Sequence, residues 1–258
     1  MRKSTKPQYS MNLSKTQTPQ DVAFQDSIGK HFEGGSGSTL DKLRNFPRFV
    51  PRQSLSLFLA KHELFKKIVN IHGNIIECGV FQGGGLFSWA QFSAIHEPVN
   101  HGRKVIGFDT FSGFLSIDKK DVSSHDNNFK SAGSLKYDKL GELEDGVRLF
   151  DLNRPIGHIQ KIECVKGDAI KTIPRYLKQN PHTVVALLYL DFDLLKPTTA
   201  AIRHFLPRMP KGAIIAFDEL NQSNWPGETI AVMDTIGINN LRIERFDFTP
   251  AISYAVIQ

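Results

Sequence analysis

The spacing of apolar residues changes period along the chain, and each change predicts a different element. Compact runs rich in branched apolar residues at 74–78, 104–108, 161–165, 184–190 and 213–217 predict buried strands. Leu55, Leu59, Leu64, Phe65 and Ile68 predict a helix opened by Pro51. Further helices are predicted through Phe87, Trp89, Ala90 and Phe92, then over 170–178, 197–206 and 226–233. Residues 241–248 and 252–257 predict two closing strands. Strands that alternate with helices predict a parallel sheet with right-handed crossovers. The turn expected between the last two strands contains Pro250 and is too short for a crossover, so those two must pair antiparallel. The expected fold is α/β, a mostly parallel seven-stranded sheet with a C-terminal antiparallel hairpin.

Two tracts break these patterns. Residues 1–38 are polar and end in a GGSGS run, which predicts a flexible arm and linker ahead of one domain over 39–258. Residues 110–150 carry SSHDNN, SAGS and an acidic piece over 137–151. That is long for a connection and predicts a lid-like insertion over about 112–150. His125 within it is placed to swing over a cleft, whereas His62 and His204 read as structural or surface residues.

In such sheets ligands bind beyond the carboxyl ends of the strands. After the first strand comes 75-IIECGVFQGGGLFSWA-90, with Glu77 before Gly79 and with Gly83 ahead of a helix. The glycine spacing is not the dinucleotide pattern. Glycines let the backbone approach a ligand, and the acid before them resembles the S-adenosylmethionine (SAM) loop, where it suits the cationic amino group of a methionine moiety; the competing reading is a structural turn. Asp109, at the end of the second strand, is either a ribose acceptor or a turn cap. Asp168, after the third, is either an acid beside the adenine amino group or a helix N-cap.

Asp191 and Asp193 follow the strand at 184–190 and, two residues apart, are expected on one face of it. Asp218 and Glu219 end the next strand. Four carboxylates at one end of a sheet repel unless a cation or protons join them. All-oxygen donors select a hard ion, Mg²⁺ or a similar dication, and no Cys or His in the cluster favours zinc. The competing reading has Asp191 on the cofactor and Glu219 solvated.

Composition narrows the classes. The chain has 258 residues, 40% hydrophobic and 22% charged, with a formal charge of +6. The charge suits an anionic ligand such as a nucleotide-sugar, or simply a basic surface. No Lys/Arg–aromatic module supports nucleic-acid binding. No apolar run reaches membrane-spanning length, and no apolar signal core is present. Two cysteines without a disulfide framework are consistent with a reducing cytoplasm. Arg44, Arg48 and Arg52 either hold a phosphate or form a solvated helix face. Trp225 and Pro226 either shape a substrate pocket or belong to the core.

Taken in order, IIECGVFQGGG, GFDTFSGF, VKGDA, LYLDFD and IIAFDE resemble the macrocin O-methyltransferase family, over about Phe46 to Phe246. The resemblance implies a Rossmann-like class I methyltransferase fold and a SAM- and metal-dependent O-methyltransferase acting on sugar hydroxyls. It implies that Glu77, Gly79, Gly83, Asp109, Asp168 and Asp191 bind the cofactor. It implies that Asp193, Asp218 and Glu219 hold the metal and that Asp193 is the catalytic base. Phe192 and Glu219 depart from the family's usual glycine and aspartate, and 221-NQSNWPGE-228 departs from its antibiotic enzymes. The expected acceptor is therefore a sugar or glycan precursor rather than a macrolide. The arm is long enough to reach a second subunit, which allows a homo-oligomer. A hydrolase or hydroxylase on the same fold, and a SAM- or nucleotide-binding module without catalysis, are the competing functions. An NAD-dependent dehydrogenase fits neither the glycine spacing nor any Tyr-Lys or His dyad.

Overall fold

The computed structural model describes residues 18–123 and 130–258. The chain divides into two compact units, Met1–Ser56 and Leu57–Gln258.

In the first unit, residues expected to be irregular form a helix, α1 (Pro19–Gly34). Thr18 and Asp21 make a reciprocal capping box, and Pro19 opens the first turn. These end signals outweigh the polar composition that suggested a flexible arm. A second capping box, Ser38 with Asp41, starts α2 (Thr39–Arg44). The Lys42 ammonium donates to the Phe32 and Glu33 carbonyls, satisfying the last turn of α1. No residue of α1 is buried.

The second unit is built on a seven-stranded sheet: β1 (Asn74–Cys78), β2 (Val105–Asp109), β3 (Ile162–Lys166), β4 (Val185–Leu190), β5 (Ile214–Phe217), β6 (Glu244–Phe246) and β7 (Thr249–Val256). Their order is β3-β2-β1-β4-β5-β7-β6, with β7 antiparallel to both neighbours and the β3-to-β5 ladders parallel. The expected sheet and closing hairpin are both present. The turn, however, is Asp247–Phe248, and Pro250 lies within β7. The register slips between Arg245 and Phe246, so Pro250 falls in the irregular stretch, where a missing N–H breaks no regular ladder.

Alternate residues of the strands face two separate cores. Ile75, Val105, Leu187, Tyr189 and Ala216 meet Leu64, Phe65 and Trp89 from α3 (Arg52–Ile68) and α4 (Gly84–His96). Ile76, Phe108, Leu188, Leu190 and Phe217 meet the helices of the opposite layer, α6 (Ala169–Gln179), α7 (Leu195–Phe205) and α8 (Pro226–Thr235). The acidic piece expected to belong to an insertion instead forms α5 (Leu140–Leu152). Its Leu143, Val147 and Phe150 join the first core, which makes it part of the β2-to-β3 crossover. Its charged exposed face hid that stripe in the sequence.

Arg103 fixes the turn into β1. The residue is 4% exposed, and its guanidinium donates to the carbonyls of Ile68, Val69, Ile71 and Gly73 and pairs with Glu97 at 2.8 Å. These bonds satisfy carbonyls that the end of α3 leaves open. Among the described residues, no helix is long and apolar enough to cross a membrane.

Candidate active site

β1 and β4 lie side by side while their crossovers leave in opposite directions, which opens a crevice beyond their carboxyl ends. Gly79 makes the turn out of β1 with φ +102. A Cβ there would stand 2.0 Å from the Asp191 carbonyl oxygen, so only glycine lets the two strand ends approach this closely. The loop then reaches Gly83, whose N–H bonds the Val80 carbonyl at 2.8 Å and which caps α4. Gly85 gives room to Glu77, because a Cβ at Gly85 would lie 1.8 Å from Glu77 Oε1.

Glu77 is 2% exposed, and its Oε2 has no hydrogen-bond partner. Burial raises its pKa to about 8 against the pull of the Lys61 ammonium, with Asp218 and Asp109 pushing it further up. The Trp89 indole lies near enough to favour the ionised form but makes no well-formed hydrogen bond, so a buried carboxylate oxygen at the mouth of a glycine loop is left to fit the ammonium of a SAM methionine group.

Asp109 holds that loop. Its Oδ2 accepts the Val80 and Phe81 amides at 2.8 and 2.9 Å, and its Oδ1 accepts the Phe111 amide at 2.6 Å. Neither sequence-level alternative included this clamp across 28 and 29 residues. Asp168 caps α6, accepting the Ile170 amide at 3.1 Å.

Across the crevice, β4 ends at Leu190, so Asp191 and Asp193 are not strand residues sharing a face. The strand geometry assumed for them is corrected by a tight turn. Asp193 has φ +62, and the Leu194 amide bonds the Phe192 carbonyl at 2.7 Å, which makes Asp193 the centre of a γ-turn. The carboxylates are nonetheless neighbours. Burial and then Asp218 raise Asp193 to about 8. Burial, Asp193 and Asp218 raise Glu219 to about 9. Asp191 is pushed well up by burial, with Asp218 and Asp193 adding to it. Among the described residues, no group of three His, Cys, Asp or Glu stands arranged to hold a metal ion. Asp218 Oδ1 is already engaged by the Tyr189 hydroxyl. The donor chemistry fits a hard dication, but the side chains do not form a ready cage.

A family profile described as macrocin-O-methyltransferase (TylF) matches residues 60–238. The chain belongs to the macrocin O-methyltransferase family. It is a SAM-dependent O-methyltransferase. The methyltransferase is similar to the calicheamicin methyltransferase CalS11, at 29% identity and TM-score 0.90, over 98% of this chain and 99% of that one. The apo structure of CalS11, described as a TDP-rhamnose 3′-O-methyltransferase, matches at 30% identity and TM-score 0.81, over 93% and 95%. The O-methyltransferase NovP shares the fold at 17% identity and TM-score 0.58, over 78% and 79%. No curated protein matches.

The methyltransferase also recruits residues that the sequence did not announce. Glu228, fully buried at the start of α8, accepts the Glu219 amide at 3.0 Å through Oε1 and leaves Oε2 unpartnered. Burial and the Asp218 charge push it well up. Asp121, in the 112–139 connection, accepts the Leu195 amide at 2.7 Å and the Asp118 amide at 2.9 Å, tying that connection to α7. Lys130 lies 4.4 Å over the Trp225 ring and donates to the Asp121 carbonyl at 2.8 Å. Trp225 is buried and packs edge-on to Phe114, 5.8 Å away. His125 lies outside the described residues. A buried acid in a first helical turn reads in sequence as an ordinary dipole partner, so nothing marked Glu228. Lys61 did leave a signal, a lysine on the apolar stripe of Leu57, Ala60, Leu64, Phe65 and Ile68.

Proposed function

We propose that this methyltransferase transfers the SAM methyl group to a hydroxyl of a nucleotide-linked sugar with the help of a hard divalent cation. The acceptor reading draws on the likeness to CalS11 along almost the whole chain. The observation that carries the chemistry is the crowding of buried acids where β4 and β5 end, which the Lys130 ammonium offsets only in part. There Asp193 and Glu219 are raised to about 8 and 9 with Asp218 beside both. Asp193, Asp218 and Glu219 would hold the cation, which supplies Lewis acidity at a bound hydroxyl.

The chain's own groups do the rest. Glu77 takes the methionine ammonium, and the loop from Gly79 to Gly83 lies along the cofactor. Asp109 keeps that loop in shape and offers its remaining acceptor capacity to the ribose. Asp168 lies toward the adenine and Asp191 under the cofactor. Asp193, held by its γ-turn, receives the proton of the acceptor hydroxyl as oxygen attacks the methyl carbon in line and the sulfonium S–CH₃ bond breaks, its electron pair staying on the departing S-adenosylhomocysteine. Positioning of the two reactants supplies much of the rate.

The test is methyl transfer to TDP-rhamnose with Mg²⁺, with EDTA, and by Asp193→Asn. Turnover should need the cation and should vanish in the variant, while S-adenosylhomocysteine still binds within about twofold of wild type. Full activity of Asp193→Asn, or indifference to EDTA, removes the base and the cation respectively.

A further inference from the structure

Lys61 occupies a core position with a charge. It is 8% exposed, and its Nζ lies 4.0 Å from the centre of the Tyr189 ring and 5.8 Å from that of Trp89. Burying an ammonium is expensive unless something nearby uses it. Among the described residues Lys61 makes no ion pair. Its Nζ instead donates to the Tyr189 hydroxyl at 2.8 Å, and that hydroxyl donates to Asp218 Oδ1. The Tyr189 oxygen is thus fixed from both sides, and the ammonium is fixed with it.

The sheet register shows what the charge faces. Glu77 and Tyr189 are paired on β1 and β4, and their rung is flanked by Gly107 and Ala216. The space above Gly107 is taken by the Val80 and Leu86 side chains, which close that side of the rung to water. Residues two apart on a strand share a face, so Glu77 and Ile75 both point toward the layer that contains α3. The charged groups around Glu77 are Lys61 from α3, Asp218 after β5, Asp109 at the end of β2 and Asp191 after β4. Lys61 is the positive member of that set, and Asp191 feels it as well.

We propose that Lys61 is the internal counter-charge of the cofactor pocket, a positioning residue that Tyr189 locks in place and that keeps the Glu77 carboxylate available to the methionine ammonium. It touches neither cofactor nor acceptor. The proposal rests on the reading of Glu77 given above. Without Lys61, Glu77 faces only carboxylates, those of Asp218, Asp109 and Asp191, in a dry site, and ionising it to receive the ammonium becomes harder.

Calorimetry on the full chain at neutral pH separates this role from simple packing. The probes are S-adenosylhomocysteine and methylthioadenosine, which lacks the amino-acid moiety. Lys61→Met keeps the length and the apolar packing. It should weaken S-adenosylhomocysteine roughly tenfold, the equivalent of one unit of carboxylate pKa, and leave methylthioadenosine within about twofold. Lys61→Arg should recover most of the loss. Tyr189→Phe, which removes the lock and keeps the ring, should shift the ratio of the two affinities in the same direction as Lys61→Met. Equal weakening of both ligands, or no change in their ratio, makes Lys61 a packing residue and overturns the proposal. Glu77→Gln judges the underlying reading. If it leaves the ratio intact, the Glu77 assignment fails and the proposal with it. If it lowers the ratio while Lys61→Met does not, the proposal fails alone.

Discussion

Asp109→Asn asks whether the acid after β2 serves the loop, the cofactor or both. The carboxylate accepts three amides, two on Oδ2 and one on Oδ1. An asparagine side chain has one acceptor oxygen. Its best placement keeps Val80 and Phe81 and turns the new NH₂ toward the Phe111 amide, donor against donor. One charge-assisted bond is then lost, worth roughly 1.5–3 kcal/mol, and the remaining two become neutral and weaker. The expected loss is about 2 kcal/mol, near 30-fold in the unfolding equilibrium. Asp109→Ala loses all three bonds, but the half-buried loop regains water, so about 4 kcal/mol is a reasonable figure. The assay is urea unfolding of the cofactor-free protein, with amide exchange at Val80 and Phe81 as a local reporter. A purely ribose-binding acid would leave cofactor-free stability untouched and lower affinity only. If Asp109→Asn unfolds within about 0.5 kcal/mol of wild type and its loop amides exchange no faster, the clamp argument is wrong.

The remaining predictions concern the same crevice. Gly79→Ala places a Cβ 2.0 Å from the Asp191 carbonyl at φ +102, so the strand ends must part. It should cost about 3 kcal/mol by denaturant unfolding and weaken S-adenosylhomocysteine, and a variant as stable as wild type would disprove the close approach. Glu77 gives a pH signature. Its carboxyl is raised from 4.5 to about 8 in the fold, so the folded state holds the proton more tightly, and its contribution to stability falls as pH climbs between those values. Glu77→Gln removes that slope. Measured without cofactor, the variant should gain on wild type by a few kcal/mol, at most about 5, between pH 5 and pH 8. An equal difference at the two pH values would refute the burial argument.

Much of the fold was legible because strand runs and helix stripes are local patterns. The runs ending at Cys78, Leu190 and Phe217 each form the strand they predicted, and the carboxylates gathered where those strands end. What sequence reading missed depends on distance or on a single dihedral. Asp193 departs from strand geometry because one residue takes φ +62, which alternation does not encode. Two of the amides on Asp109, those of Val80 and Phe81, come from residues brought near it by pairing of β1 with β2, whereas the third, Phe111, is the local turn cap. α5 was hidden because its exposed acids dominated its composition, although Leu143, Val147 and Phe150 carried the helical period. The α1 helix was masked by polar residues whose Thr18–Asp21 capping signal outweighs their average character. Lys61 was visible as a charge on an apolar stripe, but Tyr189, its partner, is 128 residues away.

The placement of β7 between β5 and β6 bears on how the protein is made. On the ribosome, the flank of β5 has no neighbour until residues 249–256 have emerged, because β6 touches the sheet only through β7. A nascent chain stalled before Thr249 presents an uncovered ladder edge formed by Ile214 to Phe217, open to pairing with another polypeptide. Release from that hazard comes with one late strand, which closes the gap and carries the preceding segment into register.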